Sequence, residues 1–333
     1  MKILLATDAW PPQVNGVVRT MLAVTRELEG MGHKVTVLTP NEFTTVPCPF
    51  YREIRLAVNP SAKTARFIEA AAPDAIHIVT EGPIGIAARK WCLANNYHFT
   101  TAYHTRFPEY LAVRYLAPRA FTYALLRRFH APSQGVMVAT DTVRSELAAH
   151  GFTNLVPWGR GVDPALFDPN MRDEIADLPR PIFLSVGRVA QEKNLPAFLS
   201  LDLPGSKVVV GEGPALASLR RRFPNAHFLG RRENGVLAKL YASADVFVFP
   251  SRTDTFGLVM LEALASGLPV AAYPVPGPLD VIDGSGAGAL DEDLGRAALA
   301  ALEVSRERCR EHALTFSWTN CARQFLDQLS PIH

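Results

Sequence analysis

Short apolar runs alternate with longer amphipathic stretches along almost the whole chain. Such alternation is typical of parallel sheets whose strands are joined by crossover helices. The runs predict two sets of five strands, at residues 2–7, 34–39, 75–79, 98–103 and 135–139, and at residues 181–186, 207–210, 226–229, 245–249 and 269–272. The pattern predicts an α/β protein of two doubly wound, Rossmann-like domains that face each other across a cleft, with their strand ends opening onto it.

A turn-rich stretch, residues 157–181, separates the two sets of strands. We therefore predict a first domain over residues 1–165 and a second domain over residues 166–316. A last helix is predicted over residues 319–329, within a C-terminal segment 317–333. The hydrophobic pattern alone does not say which domain this helix packs against.

The composition is that of an ordinary globular protein, with 333 residues, 48% hydrophobic and 20% charged. The four cysteines have no metal-ligand or disulfide spacing, and the N-terminal apolar run is too short for a signal peptide. No apolar run approaches the length that spans a bilayer. We therefore expect a cytoplasmic protein whose contact with membranes is peripheral.

Two carboxylates stand eight residues apart where a predicted strand passes into a predicted helix over residues 257–266. Asp254 precedes this helix, and Glu262 lies inside it beside a Leu and Ala stripe. A carboxylate buried there needs a partner, and the two vicinal hydroxyls of a ribose would serve. The amides of Phe256, Gly257 and Leu258 would be first-turn donors suited to a phosphate or a sugar hydroxyl.

Two further loops carry groups that suit a diphosphate. Arg188 and Lys193 follow the first strand of the second set, so both cations can converge on one diphosphate, although an isolated pair with this spacing is more often a solvated basic loop. Asn15 and Gly16 stand where the first strand of the chain leads into a helix, and by themselves they are more often a simple turn. The remaining glycine-rich positions of this kind are Gly187 and the turn Gly211-Glu212-Gly213-Pro214.

His104 and Arg160 are candidates at the ends of first-domain strands. His104 follows a predicted strand and should lie at the mouth of the cleft, although a lone histidine is more often structural. Arg160, in the segment WGRGVD, either points into the cleft or belongs to a linker turn whose glycines suit a hinge.

The segment ADVFVFPSRTDTFGLVMLEALASGLPV resembles the donor-binding motif of the retaining glycosyltransferases of family 4, in which an acidic residue, seven others and a Glu precede Ala-x-Ala-x-Gly. The usual first acid is Glu, and here it is Asp254. YHTRFPEY resembles the branch that contains bacterial glycolipid synthases and α-mannosyltransferases. The resemblance implies the GT-B fold, a terminal helix that crosses back to the first domain, and catalysis that requires neither metal nor cofactor.

The resemblance also assigns roles. The residues it implies for catalysis are His104, Arg188, Lys193 and Asp254. The residues it implies for binding a nucleotide-sugar donor are Asn15, Gly16, Arg160, Gly187, Gly211, Glu212, Phe256, Gly257, Leu258 and Glu262. Retention in this family is thought to proceed without a stable covalent intermediate, with the leaving phosphate taking the acceptor proton.

Charge is unevenly divided between the halves of the chain. Residues 1–165 carry 17 Lys and Arg against 12 Asp and Glu, whereas residues 166–333 carry 17 against 20. Within residues 106–130, Glu109 is the single acid, and the interleaved basic and apolar residues are Arg106, Arg114, Arg119, Arg127, Arg128, Tyr115, Phe121, Tyr123 and Leu126. This mixture favours contact with an anionic membrane over nucleic acid, and the alternative is a helix pair whose aromatic residues are core.

These observations favour a retaining transferase that moves a hexose or hexuronic acid from a nucleotide-diphosphate sugar, preferably a UDP-sugar, to a lipid such as diacylglycerol at the inner face of the cell membrane. The alternatives are a GDP-mannose-dependent α-mannosyltransferase, a transferase acting on a soluble sugar or polysaccharide, and a nucleotide-sugar-binding protein without turnover. An epimerase on the same fold fits less well. The sequence leaves the oligomeric state open.

Overall fold

The computed structural model describes residues 1–48, 54–109, 118–171, 175 and 177–332. The chain divides into two compact units. The first unit comprises Met1–Arg160 together with Trp318–His333, and the second unit comprises Gly161–Ser317. Each unit contains a six-stranded parallel sheet.

The sheet of the first unit has the order β2-β1-β5-β6-β7-β8. Its strands are β1 (Lys2–Ala6), β2 (Lys34–Leu38), β5 (Ala75–Ile78), β6 (Thr100–Tyr103), β7 (Val136–Val138) and β8 (Leu155–Pro157), and an antiparallel hairpin is formed by β3 (Thr45–Pro47) and β4 (Arg55–Ala57). Its helices from the N-terminal part of the chain are α1 (Gly16–Gly30), α2 (Ser61–Ala71), α3 (Pro83–Ala94), α4 (Arg119–His130) and α5 (Asp141–Ala149). Strand side chains are buried on both faces, as expected for a parallel sheet covered by helices.

The sheet of the second unit has the order β11-β10-β9-β12-β13-β14, with two strands on the side of β9 away from β12, where the first sheet has one strand beyond β1. Its strands are β9 (Ile182–Val186), β10 (Ser206–Val210), β11 (His227–Gly230), β12 (Val246–Phe249), β13 (Val270–Ala272) and β14 (Gly288–Leu290). Its helices are α6 (Leu195–Leu199), α7 (Leu216–Arg222), α8 (Asn234–Ser243), α9 (Leu258–Ala265), α10 (Pro278–Ile282), α11 (Leu294–Ala301) and α12 (Arg306–Ala313).

The last helix, α13 (Trp318–Gln328), belongs to the first unit, where it packs against α1. Its apolar stripe explains why: Cys321, Ala322 and Phe325 fall on one helical face and are buried. The indole nitrogen of Trp158 donates to the carbonyl oxygen of Cys321 at 3.1 Å. The helix is therefore anchored by a hydrogen bond as well as by packing.

The predicted two-domain α/β architecture with parallel sheets is confirmed, and all ten predicted strands are present with ends shifted by one or two residues. The strands that the sequence did not predict are β3, β4, β8 and β14. Each has three residues, and none is buried throughout, unlike the equally short β7 and β13, whose residues are all buried and lie in apolar runs. Over the described ranges, no helix is both long and apolar enough to cross a membrane.

Both sheets reverse their strand order once, between β1 and β5 in the first unit and between β9 and β12 in the second. At such a point the connections leave to opposite sides and open a crevice beyond the carboxyl ends of the strands, where ligands of these sheets bind. The loops after these four strands are therefore the places to look for a site in each unit.

Candidate active site

In the second unit, two glycine-rich loops lie against each other. A Cβ on Gly211 would come within 1.8 Å of the carbonyl oxygen of Gly187, and the backbone φ of Gly211 is +141°. The amide of Val189 donates to the carbonyl oxygen of Glu212 at 2.8 Å. The structure therefore brings together four of the predicted positions, because the loop that carries Gly187 and Arg188 packs on the turn that carries Gly211 and Glu212.

Lys193 and Asp254 meet at the switch point of the second sheet. The Nζ atom of Lys193 lies 2.5 Å from Oδ1 of Asp254. The other carboxylate oxygen of Asp254, Oδ2, and the nearby hydroxyl of Thr253 are buried without a hydrogen-bond partner among the described residues. The side-chain amide of Asn194 donates from Nδ2 to the carbonyl oxygen of Pro250 at 3.1 Å and ties together the loops that follow β9 and β12. The site thus holds a charge pair beside a buried acceptor for which the described part of the chain supplies no donor.

Glu262 is buried in the second turn of α9. The hydroxyl of Tyr241, on α8, donates to Oε2 of Glu262 at 3.0 Å. Tyr241 is fully buried, and the sequence reasoning missed it because its apolar surroundings mark it only as core. This contact meets part of the cost of burying the carboxylate and orients it.

The start of α9 depends on Gly257, whose φ is +87°. A Cβ at this position would come within 2.8 Å of Cε of Met260 and 3.0 Å of Cζ of Phe249. Only glycine suits this conformation and space. The helix begins at Leu258, so the predicted donors, the amides of Phe256, Gly257 and Leu258, lie where the chain passes from β12 into α9. The Phe256 side chain is buried.

In the first unit, the loop after β1 is held by side chains. The side-chain oxygen of Asn15 accepts from the amide of Val18 at 3.0 Å and so caps α1, which begins at Gly16. The side-chain amide of Gln13 donates to the carbonyl oxygen of Asp8 at 3.0 Å. Since the Asn15 oxygen serves as a cap, the exposed backbone at Gly16 is the better candidate for a contact with phosphate.

Asp8, which the sequence reasoning also missed, bridges the switch point of the first sheet. Its carboxylate accepts from the amides of Ile84 (2.9 Å) and Gly85 (3.3 Å) at the start of α3, and from the Thr80 hydroxyl (2.9 Å). A Cβ on Gly82 would come within 2.4 Å of Cγ of Asp8. Burial raises the pKa of Asp8. These contacts fasten the loop after β1 to the loop after β5.

His104 and Arg160 lie together in the first unit. The Arg160 guanidinium is buried 4.3 Å from the centre of the Trp158 ring, and its Nη2 atom is 3.5 Å from Nδ1 of His104. Its Nη1 atom donates to the carbonyl oxygens of Trp158 (2.7 Å) and Gly159 (2.8 Å). Arg160 forms no ion pair with any residue in the described ranges. Burial lowers the pKa of Arg160 to about 10. Burial, and after it the charge of Arg160, holds the pKa of His104 well below its ordinary value.

The predicted basic and aromatic surface over residues 106–130 needs correction. Arg106 is buried, with Nη2 2.8 Å from both carboxylate oxygens of Glu146. Tyr123 and Leu126 are also buried, and the Tyr123 hydroxyl lies 2.8 Å from Glu109. The prediction that these three residues lie on the surface is wrong: one face of α4 packs on the sheet and buries Tyr123 and Leu126, and Arg106 is paired with Glu146.

The exposed residues of α4 include Arg119, Phe121, Leu125, Arg127 and Arg128, which we call the outer face of α4. Arg114 and Tyr115 of the predicted surface lie outside the described residues. Across the described ranges, no group of three or more His, Cys, Asp or Glu side chains is placed to hold a metal ion. That catalysis requires no metal stays a prediction.

Comparison with known proteins defines the class. Sucrose-phosphate synthase from Thermosynechococcus elongatus superposes with a TM-score of 0.76 over 98% of this chain and 97% of its own, at 20% identity. The fold is therefore that of the GT-B glycosyltransferases. The family model "Glycosyltransferase Family 4" matches residues 14–166, and "Glycosyl transferases group 1" matches residues 180–304.

Curated relatives agree with the family models. A GDP-mannose-dependent alpha-mannosyltransferase of Mycolicibacterium smegmatis is 31% identical over 85% of this chain and 82% of its own length. Alpha-monoglucosyldiacylglycerol synthase of Streptococcus pneumoniae is 29% identical over 95% and 81%. Sulfoquinovosyl transferase SQD2 of Arabidopsis thaliana is 31% identical over 77% of this chain. The matched region covers 56% of the length of that relative. The chain belongs to glycosyltransferase family 4.

Proposed function

We propose that this protein transfers a hexose or hexuronic acid, with retention of anomeric configuration, from a nucleotide-diphosphate sugar to a membrane lipid such as diacylglycerol. A UDP-sugar is the preferred donor. The observation that carries the proposal is the Lys193–Asp254 pair at the switch point of the second sheet, with Oδ2 of Asp254 buried and unpartnered among the described residues. A buried acceptor of this kind suits a sugar hydroxyl, which is a hydrogen-bond donor.

The neighbouring groups suit the rest of such a donor. Arg188 and Lys193 would neutralise the diphosphate as it leaves, and Glu262, oriented by Tyr241, would accept from the ribose hydroxyls. The bond from the anomeric carbon to the diphosphate oxygen breaks, and the acceptor oxygen bonds to the same face of that carbon. The departing phosphate takes the acceptor proton, so this reaction scheme uses no metal ion.

The outer face of α4 supports a lipid acceptor. Phe121 is 69% exposed and Leu125 is 58% exposed, and their spacing places them on one side of the helix together with Arg128. Large apolar side chains flanked by arginines suit the interface of an anionic bilayer. Each arginine contributes about 1 kcal/mol near such a surface. We propose that the protein is peripheral on the inner face of the cell membrane through this face.

A second candidate is GDP-mannose-dependent α-mannosyl transfer, which the Mycolicibacterium relative favours because it matches at 31% identity over 85% of this chain. The test is incubation of the purified protein with UDP-glucose, UDP-glucuronic acid or GDP-mannose, each with diacylglycerol in anionic vesicles or with free mannose, followed by mass spectrometry. A glycosylated diacylglycerol whose linkage keeps the donor's anomeric configuration by NMR supports the proposal. Transfer only to mannose would show that the acceptor is a soluble sugar and not a lipid.

A matched pair of variants tests the observation itself. Asp254→Asn keeps the size of the side chain and removes the charge that pairs with Lys193, so turnover should fall. Asp141→Asn makes the same chemical change in an exposed ion pair with Arg144 and should leave turnover unchanged. Equal activity of both variants would show that Asp254 is not part of the active site.

A further inference from the structure

We infer that Arg160 is a positioning residue that holds His104 as a neutral imidazole with its proton on Nε2. In this form Nε2 of His104 can donate a hydrogen bond to a substrate oxygen but cannot act as a base. The inference about the tautomer rests on the geometry of the first unit alone. Its consequence for catalysis rests on the proposed function.

The tautomer follows from what each group can offer. A guanidinium carries five N–H donors and no acceptor, and it stays charged at every physiological pH. Nη2 of Arg160 lies 3.5 Å from Nδ1 of His104. A proton on Nδ1 would face this donor, whereas a lone pair on Nδ1 accepts from it. A neutral imidazole with its lone pair on Nδ1 carries its proton on Nε2.

Arg160 is itself held in place. Its Nη1 atom donates to the carbonyl oxygens of Trp158 and Gly159, and the guanidinium stacks on the Trp158 ring. The His104 ring and the same indole are in a T-shaped arrangement, with ring centres 5.6 Å apart, and the indole nitrogen donates to the carbonyl oxygen of Cys321. Both side chains therefore pack on one fixed indole.

The charged and titratable groups that act on His104 reinforce the neutral form. Among the described residues they include Arg160, His77 and His130, and these three are basic. A histidine that donates from Nδ1 to a carboxylate is held in the opposite tautomer, and here a cation occupies that side. Burial and these neighbours together keep the pKa of His104 well below its ordinary value.

This arrangement excludes one role and supports another. With the proton on Nε2 and Nδ1 turned to Arg160, His104 cannot accept a proton from the acceptor hydroxyl through Nε2. It can donate a hydrogen bond to an oxygen of the sugar or of the acceptor. The proton of the acceptor must then leave through another group, as the proposed departure of the phosphate provides.

The test is long-range ¹H–¹⁵N correlation NMR of the whole chain labelled at histidine nitrogens, in the absence of substrate. His104→Gln assigns the His104 signals by their loss. We expect wild-type His104 as the Nε2–H tautomer from pH 8 to pH 5.5. In Arg160→Met, which removes charge and donors but keeps length, the Nδ1–H form should become populated and the His104 pKa should rise. Arg160→Lys should retain the wild-type tautomer.

A wild-type Nδ1–H tautomer, or an unchanged tautomer in Arg160→Met, would overturn the inference, and neither result depends on any glycosyl transfer.

Turnover provides the second readout once a donor is identified. Arg160→Met should lower kcat about two- to tenfold, the range for one neutral hydrogen bond, with KM little changed. The pH profile of Arg160→Met should show no acid limb at the measured His104 pKa, because the imidazolium still donates from Nε2, and Arg160→Lys should restore the wild-type kcat.

Discussion

Each sheet reverses its strand order once beside its first strand, but the two units hold charge in different ways. In the second unit, Lys193 pairs with Asp254 at the switch point, and Tyr241 donates to Glu262. In the first unit, Asp8 bridges the switch point, and in the loops after β6 and β8 a buried arginine faces a neutral histidine without a carboxylate among the described residues. Parallel strands supply loops at the carboxyl edge of both sheets, and the side chains on those loops decide which ligand groups they suit.

The difference teaches which groups each unit can meet. The carboxylates and cations of the second unit suit hydroxyls and a diphosphate. In the first unit, burial keeps His77 and His104 neutral, and burial and then His130 lower the pKa of His77 to about 3. The two units should thus respond differently to charge removal and to acid.

The largest effect should come from the cations of the second unit. Arg188→Ala and Lys193→Ala should each lower kcat about 10²–10³-fold, the scale for a lost preorganised donor. Steady-state assays with and without EDTA check this, and turnover should persist in EDTA. Arg220→Ala, a change of the same charge at an exposed position of α7, is the control. Full activity of both alanine variants together with strict dependence on a divalent ion would break the comparison.

Acid should destabilise the first unit through His77. Its pKa is lowered to about 3 in the folded protein and is about 6.5 when unfolded. Above pH 6.5 the titration of His77 does not reduce the free energy of unfolding. As pH falls from 6.5 towards 3, only the unfolded chain takes up the proton, so the free energy of unfolding falls. The loss is about 1.4 kcal/mol per pH unit, or about 2.7 kcal/mol from pH 6.5 to 4.5.

Tryptophan fluorescence during urea unfolding measures this effect selectively. All four tryptophans, Trp10, Trp91, Trp158 and Trp318, belong to the first unit. The slope of unfolding free energy against pH should be smaller in His77→Gln than in the wild-type protein. Equal slopes would show that His77 does not carry the acid sensitivity.

Nucleotide affinity tests the second unit more finely. Glu262→Gln should weaken binding of a nucleoside diphosphate by about 1.5–3 kcal/mol, the value of a hydrogen bond to a charged group. Tyr241→Phe leaves the carboxylate and removes only its orienting partner, so its loss should be about 0.5–1.5 kcal/mol. Calorimetry measures both. Wild-type affinity in Glu262→Gln would contradict the assignment of this residue to the ribose.

The last test concerns the outer face of α4 and leaves the nucleotide site untouched. Changing Arg127 and Arg128 together to Glu should remove at least about 2 kcal/mol of attraction to anionic vesicles, from about 1 kcal/mol for each arginine. Flotation with increasing anionic lipid and salt measures it, and nucleotide affinity should not change. Arg221 and Arg222 changed to Glu make the same charge change in the second unit, where both are exposed. Equal loss in both double variants would indicate non-specific attraction, and wild-type binding that ignores anionic lipid would contradict the docking surface.

Local sequence determined a large part of this protein. Apolar runs of four to six residues are enough to indicate strands buried on both faces, and glycines mark loops whose backbone needs their freedom, as at Gly211 and Gly257. The family motif from Asp254 to Glu262 is likewise local, since a strand, a loop and a helix follow one another within it. These features depend on neighbours in the chain, and a sequence records such neighbours directly.

Only the tertiary structure decided contacts between distant residues. Tyr241 meets Glu262 across 21 positions, Asp8 caps α3 from 76 positions away, and Arg160 reaches His104 across 56. The side of α4 that faces the core, and hence the burial of Tyr123, depends on the sheet beneath it. The terminal helix has an apolar stripe that would suit either sheet, and only the complementary surface of α1 and Trp158 selects the first unit. Packing of this kind depends on the shapes of both surfaces, which no local pattern contains.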